Sequence, residues 1–136
     1  MARILLIEDN KANTKLATLL LSKVGHTVLC AADAETGLTM ARAEHPDLVL
    51  MDIQLPGMDG LTATALLKAD AETAAIPIIA LTALAMKHDH ERSMLAGCDA
   101  YIAKPLRHQD LFATIDRVLL HAEGERGHPG PTQGPV

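Results

Sequence analysis

Aromatic residues are almost absent from this chain of 136 residues, which has no tryptophan, one tyrosine (Tyr101) and one phenylalanine (Phe112). A surface that binds nucleic acid by base stacking needs several aromatic rings, so the composition argues against such a partner. Hydrophobic residues nevertheless make up 49% of the chain. The core is therefore predicted to be aliphatic, and the chain is long enough to bury it without a metal or a disulfide.

Clustered positive charge is also missing. The formal net charge is −5, and the sequence contains no run of Lys or Arg. Binding to nucleic acid or to an anionic membrane is therefore not expected. The two cysteines, Cys30 and Cys98, lack CxxC or metal-ligand spacing, which is typical of reduced thiols in the cytosol. The sequence shows no signal peptide and no apolar run of membrane-spanning length, so we predict a cytoplasmic location.

Five short apolar runs alternate with helical patterns along the chain. The runs cover residues 4–7, 27–31, 48–51, 76–81 and 100–103, and their continuous apolar character predicts strands that are covered on both faces. Helical patterns occupy residues 16–24 before Gly25, residues 33–46, residues 61–69, residues 86–96 before Gly97, and residues 111–119. The alternation predicts an α/β fold, a flavodoxin-like (βα)5 doubly wound parallel sheet with strand order 2-1-3-4-5.

The chain is predicted to form one domain over residues 1–122. Residues 123–136 are rich in Gly and Pro and bury no apolar surface, so they are predicted to form a disordered C-terminal tail. In the flavodoxin-like strand order, the ligand crevice lies at the carboxyl ends of strands one and three. The residues that follow those two strands are therefore the first candidates for a functional site.

Three carboxylates follow those strands, Glu8 and Asp9 after the first and Asp52 after the third. One interpretation is that each caps the helix or turn that comes next. The other is a cation site, because acids that converge in a crevice repel one another unless a cation relieves the repulsion. A small set of oxygen ligands suits Mg2+, so the sequence predicts a magnesium site there.

Two further strand ends carry groups of complementary chemistry. Thr82 ends the fourth run and Lys104 follows the fifth. Alone, Thr82 would be read as the start of a turn and Lys104 as a surface residue. Beside the acids, however, an ammonium and a hydroxyl group can bind the oxygens of a phosphoryl group. The joint placement at four strand ends therefore predicts a phosphoryl site.

The strand ends and their neighbours form four short segments, Glu8-Asp9-Asn10, residues 50–60 (LMDIQLPGMDG), Leu81-Thr82-Ala83 and Lys104-Pro105. These segments resemble the receiver domains of bacterial two-component response regulators. The resemblance runs from residue 3 to about residue 120 and misses no signature position. Residues 51–56, 82–89 and 97–105 are most similar to single-domain members, including cell-cycle and chemotaxis-type regulators, and also to the receivers of hybrid histidine kinases.

The resemblance implies that Asp52 is the nucleophile that takes a phosphoryl group from a phosphohistidine. An ionised carboxylate needs no general base for this step. Asp9, Asp52 and the backbone carbonyl of Gln54 would bind Mg2+, and Glu8 would act mainly through a metal-bound water. The chain would thus be a phosphoryl-accepting switch and not an enzyme that turns over a separate substrate.

The same resemblance implies how a phosphoryl group would be held and sensed. Lys104 and Thr82 would each bind a phosphoryl oxygen, and the backbone amide of Ala83 would assist. On phosphorylation Thr82 would move toward the new oxygen and Tyr101 would turn inward. The face formed by the fourth predicted helix, the fifth strand and the last helix would then bind a protein effector.

Three other residues are expected to support the site structurally. Pro56 opens the turn after Asp52, and Gly60 marks a position of positive φ or of close backbone approach. The resemblance further implies a cis peptide bond before Pro105. The implied partners are a histidine kinase or histidine phosphotransfer protein and a downstream protein effector, with the chain itself a monomer.

Three other interpretations remain open at this point. A phosphohydrolase that forms an aspartyl phosphate also places Asp after a strand, but it needs a second acid two residues later, where Gln54 stands. A flavin-binding carrier shares the strand order, but Glu8 and Asp9 would repel its phosphate. The third interpretation is a receiver cut from a larger protein with an output domain.

Overall fold

The computed structural model describes residues 2–82, 94 and 96–127. The elements in chain order are β1 (Arg3–Ile7), α1 (Lys11–Lys23), β2 (Thr27–Ala31), α2 (Ala34–Glu44), β3 (Leu48–Asp52), α3 (Gly60–Ala69), β4 (Ile78–Thr82), β5 (Ala100–Ala103) and α4 (His108–Gly127). The helix predicted over residues 86–96 lies outside the described residues, apart from Met94 and Ala96, which are helical.

The five strands form one parallel sheet in the order β2-β1-β3-β4-β5. This confirms the predicted α/β fold and its strand order. The chain moves outward from β1 to β2 and then returns to the other side of β1 to form β3. The carboxyl ends of β1 and β3 therefore border the point where the winding direction reverses, which is where this fold binds ligands.

Two aliphatic cores cover the two faces of the sheet, and β1 contributes to both. Ile4 and Leu6 pack with α1 and α4 on one face, whereas Leu5 and Ile7 pack with α2 and α3 on the other. Side chains alternate between faces along a strand, so a strand that is covered on both sides must be apolar at every position. Among the described residues, no helix combines the length and apolar character needed to cross a membrane.

Several element boundaries differ from the sequence-based expectation, and two of them are informative. β4 begins at Ile78 and not at Ile76, because Pro77 has no N–H to donate to a ladder and the carbonyl of Ile76 is bound by Lys68. At the other end of the chain, α4 continues to Gly127 and overlaps the start of the predicted tail (123–136). The remainder of that tail lies outside the described residues.

The ends of α2 follow the sequence closely. Asp33, the first residue of the predicted helical pattern, is its N-cap, and its side chain accepts a hydrogen bond from the amide of Thr36. The helix stops at His45, which adopts the left-handed conformation (φ 46°, ψ 61°). Pro46 follows, and a residue before proline is disfavoured in the right-handed helical region, so the helix cannot continue.

Candidate functional site

The three carboxylates predicted to converge do so at the carboxyl edge of the sheet. Glu8 and Asp9 follow β1, Asp52 ends β3, and one oxygen from each lies within 4.8 Å of the others. Glu8 is 3% exposed and Asp52 is 2% exposed, whereas Asp9 is exposed. The cluster therefore has two acids inside the protein and one that faces solvent.

These acids are not the caps of the helices that follow them. The N-cap of α1 is Asn10, whose side chain accepts a hydrogen bond from the amide of Asn13. The N-cap of α3 is Asp59, which accepts from the amide of Thr62. Because other residues satisfy both helix starts, the capping interpretation does not explain why acids occupy positions 8, 9 and 52. The sequence analysis missed both caps, although each stands immediately before its helix.

Lys104 reaches the same cluster from the end of β5. Its ammonium nitrogen lies 2.8 Å from Oε1 of Glu8 and 3.1 Å from Oδ2 of Asp52. The other carboxylate oxygen of Asp52, Oδ1, accepts a hydrogen bond of 3.0 Å from the backbone amide of Gln54. The Asp52 carboxylate is thus oriented by two different groups, one at each oxygen.

The buried acids influence each other's ionisation. Burial is the main cause that raises the pKa of Asp52 from 3.8 to about 7, and the hydrogen bond and negative charge of Glu8 add to it, while Lys104 opposes the rise. Burial also acts to raise the pKa of Glu8, but hydrogen bonds with Asp52, Lys104 and the amide of Asn10 outweigh it and lower that pKa. Burial and the neighbouring acid therefore both disfavour the charged form of Asp52 as long as no cation offsets them.

Lys104 is the only cation among the described residues that forms an ion pair with this cluster. Burial acts to lower its pKa, but the contacts with Glu8 and Asp52 outweigh burial and raise that pKa, so the amine stays charged. Three ionised carboxylates and one ammonium have a formal charge of −2. A divalent cation would neutralise that charge.

The donor set fits Mg2+. All three side chains offer oxygen, which this ion prefers, and the exposed Asp9 lies where the ion would keep part of its water shell. Oε1 of Glu8 is buried and lies 2.8 Å from the ammonium of Lys104, and a carboxylate oxygen can accept more than this one contact. A buried carboxylate oxygen with unused acceptor capacity is suited to a metal ion or a water bound to one.

The other predicted site residues occupy the neighbouring strand ends. Thr82 ends β4, is 5% exposed, and accepts a hydrogen bond of 2.7 Å from the amide of Lys104 through its carbonyl. Tyr101 pairs with Ala80 across β4 and β5 and is partly buried against the core on the α2–α3 side. Ala83, predicted to contribute its amide, lies outside the described residues.

The loop after Asp52 has a close backbone contact and a positive φ angle, and the peptide bond before Pro105 is cis. Gly60 packs so closely that a Cβ atom there would overlap the carbonyl oxygen of Asp52. Gly57, which follows Pro56, has φ +74° and turns the loop. The Lys104–Pro105 peptide bond is cis, as the resemblance implied.

This arrangement has known counterparts. Residues 4–116 match the family described as the response regulator receiver domain. That match covers most of the chain, so the chain belongs to the receiver-domain family of two-component response regulators. Members of this family are signalling switches and not conventional enzymes.

Two relatives are polar-differentiation response regulators named DivK. The protein from Brucella ovis is 44% identical over 116 residues, which are 85% of this chain and 94% of that protein. The protein from Brucella anthropi is 43% identical over the same shares. The match with these relatives thus extends over nearly their whole length.

Solved structures of similar sequence share the fold. The receiver domain of the sensor histidine kinase PA1611 from Pseudomonas aeruginosa is 36% identical, with a TM-score of 0.81 over 87% of this chain and 97% of that one. It was crystallised with a magnesium ion coordinated in its active-site cleft. A CheY-like receiver domain protein from Methanospirillum hungatei is 34% identical, with a TM-score of 0.83 over 92% of this chain and 98% of that one.

Proposed function

We propose that Asp52 accepts a phosphoryl group from a phosphohistidine of a histidine kinase or histidine phosphotransfer protein, in a reaction that depends on Mg2+. The observation that carries this proposal is the position of Asp52, a buried acid held 3.1 Å from the ammonium of Lys104 and within a cluster of three carboxylates. Family membership supports it, since phosphoryl acceptance is the activity associated with receiver domains.

In the transfer, an oxygen of Asp52 forms a bond to phosphorus as the bond from phosphorus to the imidazole nitrogen breaks, and the electron pair of that bond returns to the imidazole. Asp9, Asp52 and the backbone carbonyl of Gln54 are the proposed Mg2+ ligands, with Glu8 acting through water. The ion would supply positive charge that offsets the anionic oxygens of the group in flight. The hydrogen bond from the Gln54 amide keeps the nucleophile oriented.

Lys104, Thr82 and the amide of Ala83 are the proposed holders of the phosphoryl oxygens. Lys104 already contacts Oδ2 of Asp52, so it needs only a small movement to bind an oxygen attached to that carboxylate. Thr82 ends the strand next to β3 and is linked through its carbonyl to the backbone of Lys104. A group bound to Asp52 would therefore meet a hydroxyl from one neighbouring strand and an ammonium from the next.

The output of the switch is proposed to be a change in a protein-binding face. Phosphorylation adds a charge of roughly −1.5 to −2 near pH 7, and Thr82 would move toward it while Tyr101 turns inward. The face consists of the helix predicted before β5, together with β5 and α4. The net charge of −5 favours a protein effector over nucleic acid, and we expect the chain to act in the cytoplasm as a monomer.

The test is phosphorylation by a small donor, because it needs no knowledge of the cognate kinase. The protein is incubated with acetyl phosphate and Mg2+, and the bound phosphoryl group is measured by intact-protein mass spectrometry. We expect labelling of the wild type, none of Asp52→Asn, and strong loss when Mg2+ is chelated. Asp59→Asn is the matched control, since asparagine also caps a helix and residue 59 lies outside the cluster. Labelling of Asp52→Asn at the wild-type level would refute the assignment.

A further inference from the structure

At the edge of the sheet opposite the acidic cluster, Lys68 joins three parts of the chain. Its ammonium nitrogen donates to the carbonyl oxygens of Ile76 (2.9 Å) and Ala74 (3.3 Å) and lies 3.2 Å from Oδ2 of Asp99. Lys68 belongs to the last turn of α3, Ala74 and Ile76 precede β4, and Asp99 immediately precedes β5. One side chain therefore ties α3 to the start of both strands.

Asp99 in turn is bound to the first residue of β4. Its amide donates to the carbonyl of Ile78 (2.7 Å), and its Oδ2 accepts from the amide of Ile78 (2.8 Å). Oδ2 is also the oxygen that contacts Lys68. The lysine thus fixes the carboxylate that aligns the first residue of β4 with the residue before β5.

The sequence of β5 itself specifies its alignment weakly. The strand has four residues, Ala100, Tyr101, Ile102 and Ala103, and among the described residues it pairs with β4 alone. It begins and ends with alanine, and its side chains alternate between buried and partly buried, so core packing distinguishes poorly between adjacent alignments. A slip of one residue exchanges the faces of every side chain. The alignment must therefore be set largely at the strand's ends.

We propose that Lys68 and Asp99 are positioning residues that set the register of β5 on β4 and thereby place Lys104 beside Asp52. Lys104 directly follows β5, and its ammonium nitrogen is 3.1 Å from Oδ2 of Asp52. A slip of one residue would move it by roughly 3.3 Å along the strand, which is enough to break that contact. The effect on phosphorylation rests on the proposed function, whereas the register itself does not.

The Lys68–Asp99 pair is better suited to alignment than to overall stability. The two side chains are 23% and 41% exposed, and ion pairs at this level of exposure contribute little to the free energy of unfolding. The stem of Lys68 is confined, because a Cβ atom at residue 97 would lie only 2.9 Å from its Cγ atom. Loss of the ammonium should therefore alter the alignment of β5 more than it alters global folding.

The test compares Lys68→Met, which keeps the stem and removes the charge, with Lys68→Arg, which keeps a cationic donor. Arg42→Met is the matched control, because Arg42 forms an ion pair of 2.9 Å with Asp70 that contacts neither β4 nor β5. Register is read by NMR from the cross-strand contacts of the pairs Leu81–Ile102 and Thr82–Ala103. Activity is read from the rate of phosphorylation by acetyl phosphate with Mg2+.

We expect Lys68→Met to weaken or duplicate those cross-strand contacts and to slow phosphorylation by about 10-fold, since small misplacements of reacting groups cost rates of this order. Lys68→Arg and Arg42→Met should keep the wild-type register and a rate close to the wild-type rate. A single native register together with an unchanged rate in Lys68→Met would overturn the proposal.

Asp99→Asn is the second variant, used where Lys68→Met does not fold, because asparagine keeps the shape of the side chain and loses the charge that holds Lys68. The same two readouts apply, and a wild-type result in both would again overturn the proposal. Wild-type protein and Asp52→Asn are assayed alongside. If the wild type is not labelled, the proposed function fails, while the NMR register still decides the role of Lys68.

Discussion

The ammonium nitrogen of Lys104 lies 3.1 Å from Oδ2 of Asp52, although a whole strand separates their two strands in the sheet. β4 stands between β3 and β5, so the lysine reaches across its end. It then meets Glu8 as well, at 2.8 Å. One ammonium cannot neutralise this cluster, so the arrangement proposed to prepare Asp52 for phosphorylation should destabilise the metal-free protein.

Replacing Asp52 with asparagine is therefore expected to stabilise the metal-free protein. Burial raises the pKa of Asp52 from 3.8 to about 7, so the folded state holds this proton more tightly than the unfolded state does. The contribution of Asp52 to stability is full below pH 3.8 and is lost as the pH rises through about 7. The gain in Asp52→Asn should be largest above pH 7 and on the order of 4 kcal/mol, since a shift of about three pKa units corresponds to about 1.4 kcal/mol per unit.

Urea unfolding in EDTA at pH 5.5 and at pH 8 measures this gain. Asp59→Asn is the control, because Asp59 is an exposed helix cap that is not one of the three clustered acids, and it should give no gain at either pH. A gain of the same size at both pH values, or a loss of stability at pH 8, would contradict the expected role of buried negative charge.

Magnesium should reverse part of this destabilisation. A ligand that binds the folded state alone stabilises it by about 2.7 kcal/mol at 100 times its dissociation constant. We expect Mg2+ to raise the melting temperature of the wild type relative to NaCl at equal ionic strength, and to have little effect on Asp9→Asn. Asp116→Asn serves as the control, since Asp116 is exposed on α4 and is not one of the three clustered acids. Equal stabilisation of Asp9→Asn and the wild type would remove Asp9 from the metal site.

The convergence of Glu8, Asp9, Asp52 and Lys104 could be predicted because few topologies fit the sequence. Alternating apolar runs and helical patterns require a parallel sheet with right-handed crossovers, and that topology brings the carboxyl ends of the strands to one edge. The residues that follow the strands must then lie together. Side-chain chemistry at those positions was sufficient to predict a cation and phosphoryl site.

The Lys68–Asp99 contact could not be predicted in the same way. Lys68 lies at the end of a helix and Asp99 at the start of a strand, and neither position belongs to a pattern of hydrophobic periodicity. The contact depends on how far α3 extends and on where β4 begins. The sequence analysis placed that beginning at Ile76, two residues too early, because it relied on apolar character alone, whereas Pro77 has no N–H to donate to the ladder.

Gly60 and Gly57 should respond differently to alanine. At residue 60 a Cβ atom would overlap the carbonyl oxygen of Asp52, so Gly60→Ala must displace the backbone of the proposed phosphoryl acceptor. At residue 57 no atom lies within 4 Å of the added Cβ, and the cost arises from φ +74° alone. We expect Gly57→Ala to cost about 1 kcal/mol and to keep phosphorylation, since left-handed backbone is modestly unfavourable for alanine.

Gly60→Ala should cost about 2–3 kcal/mol, as overpacking a rigid site does, and should also slow labelling by acetyl phosphate. Urea unfolding gives the first quantity and intact-protein mass spectrometry the second. If both variants lose stability equally and label equally well, close packing of Gly60 on Asp52 has no role in holding the acceptor.

His45 offers a way to stabilise the protein without touching the site. It ends α2 with φ 46° and ψ 61°, a conformation that costs a residue with a Cβ roughly 1–2 kcal/mol, while glycine loses more chain entropy on folding. His45→Gly should therefore raise stability by about 0.5–1 kcal/mol, or roughly 2–4 °C in melting temperature. Glu35→Gly, within the same helix, should instead lose about 1 kcal/mol. Thermal unfolding of both variants tests this prediction. If both variants are less stable than the wild type, the left-handed conformation of His45 carries no strain that glycine relieves.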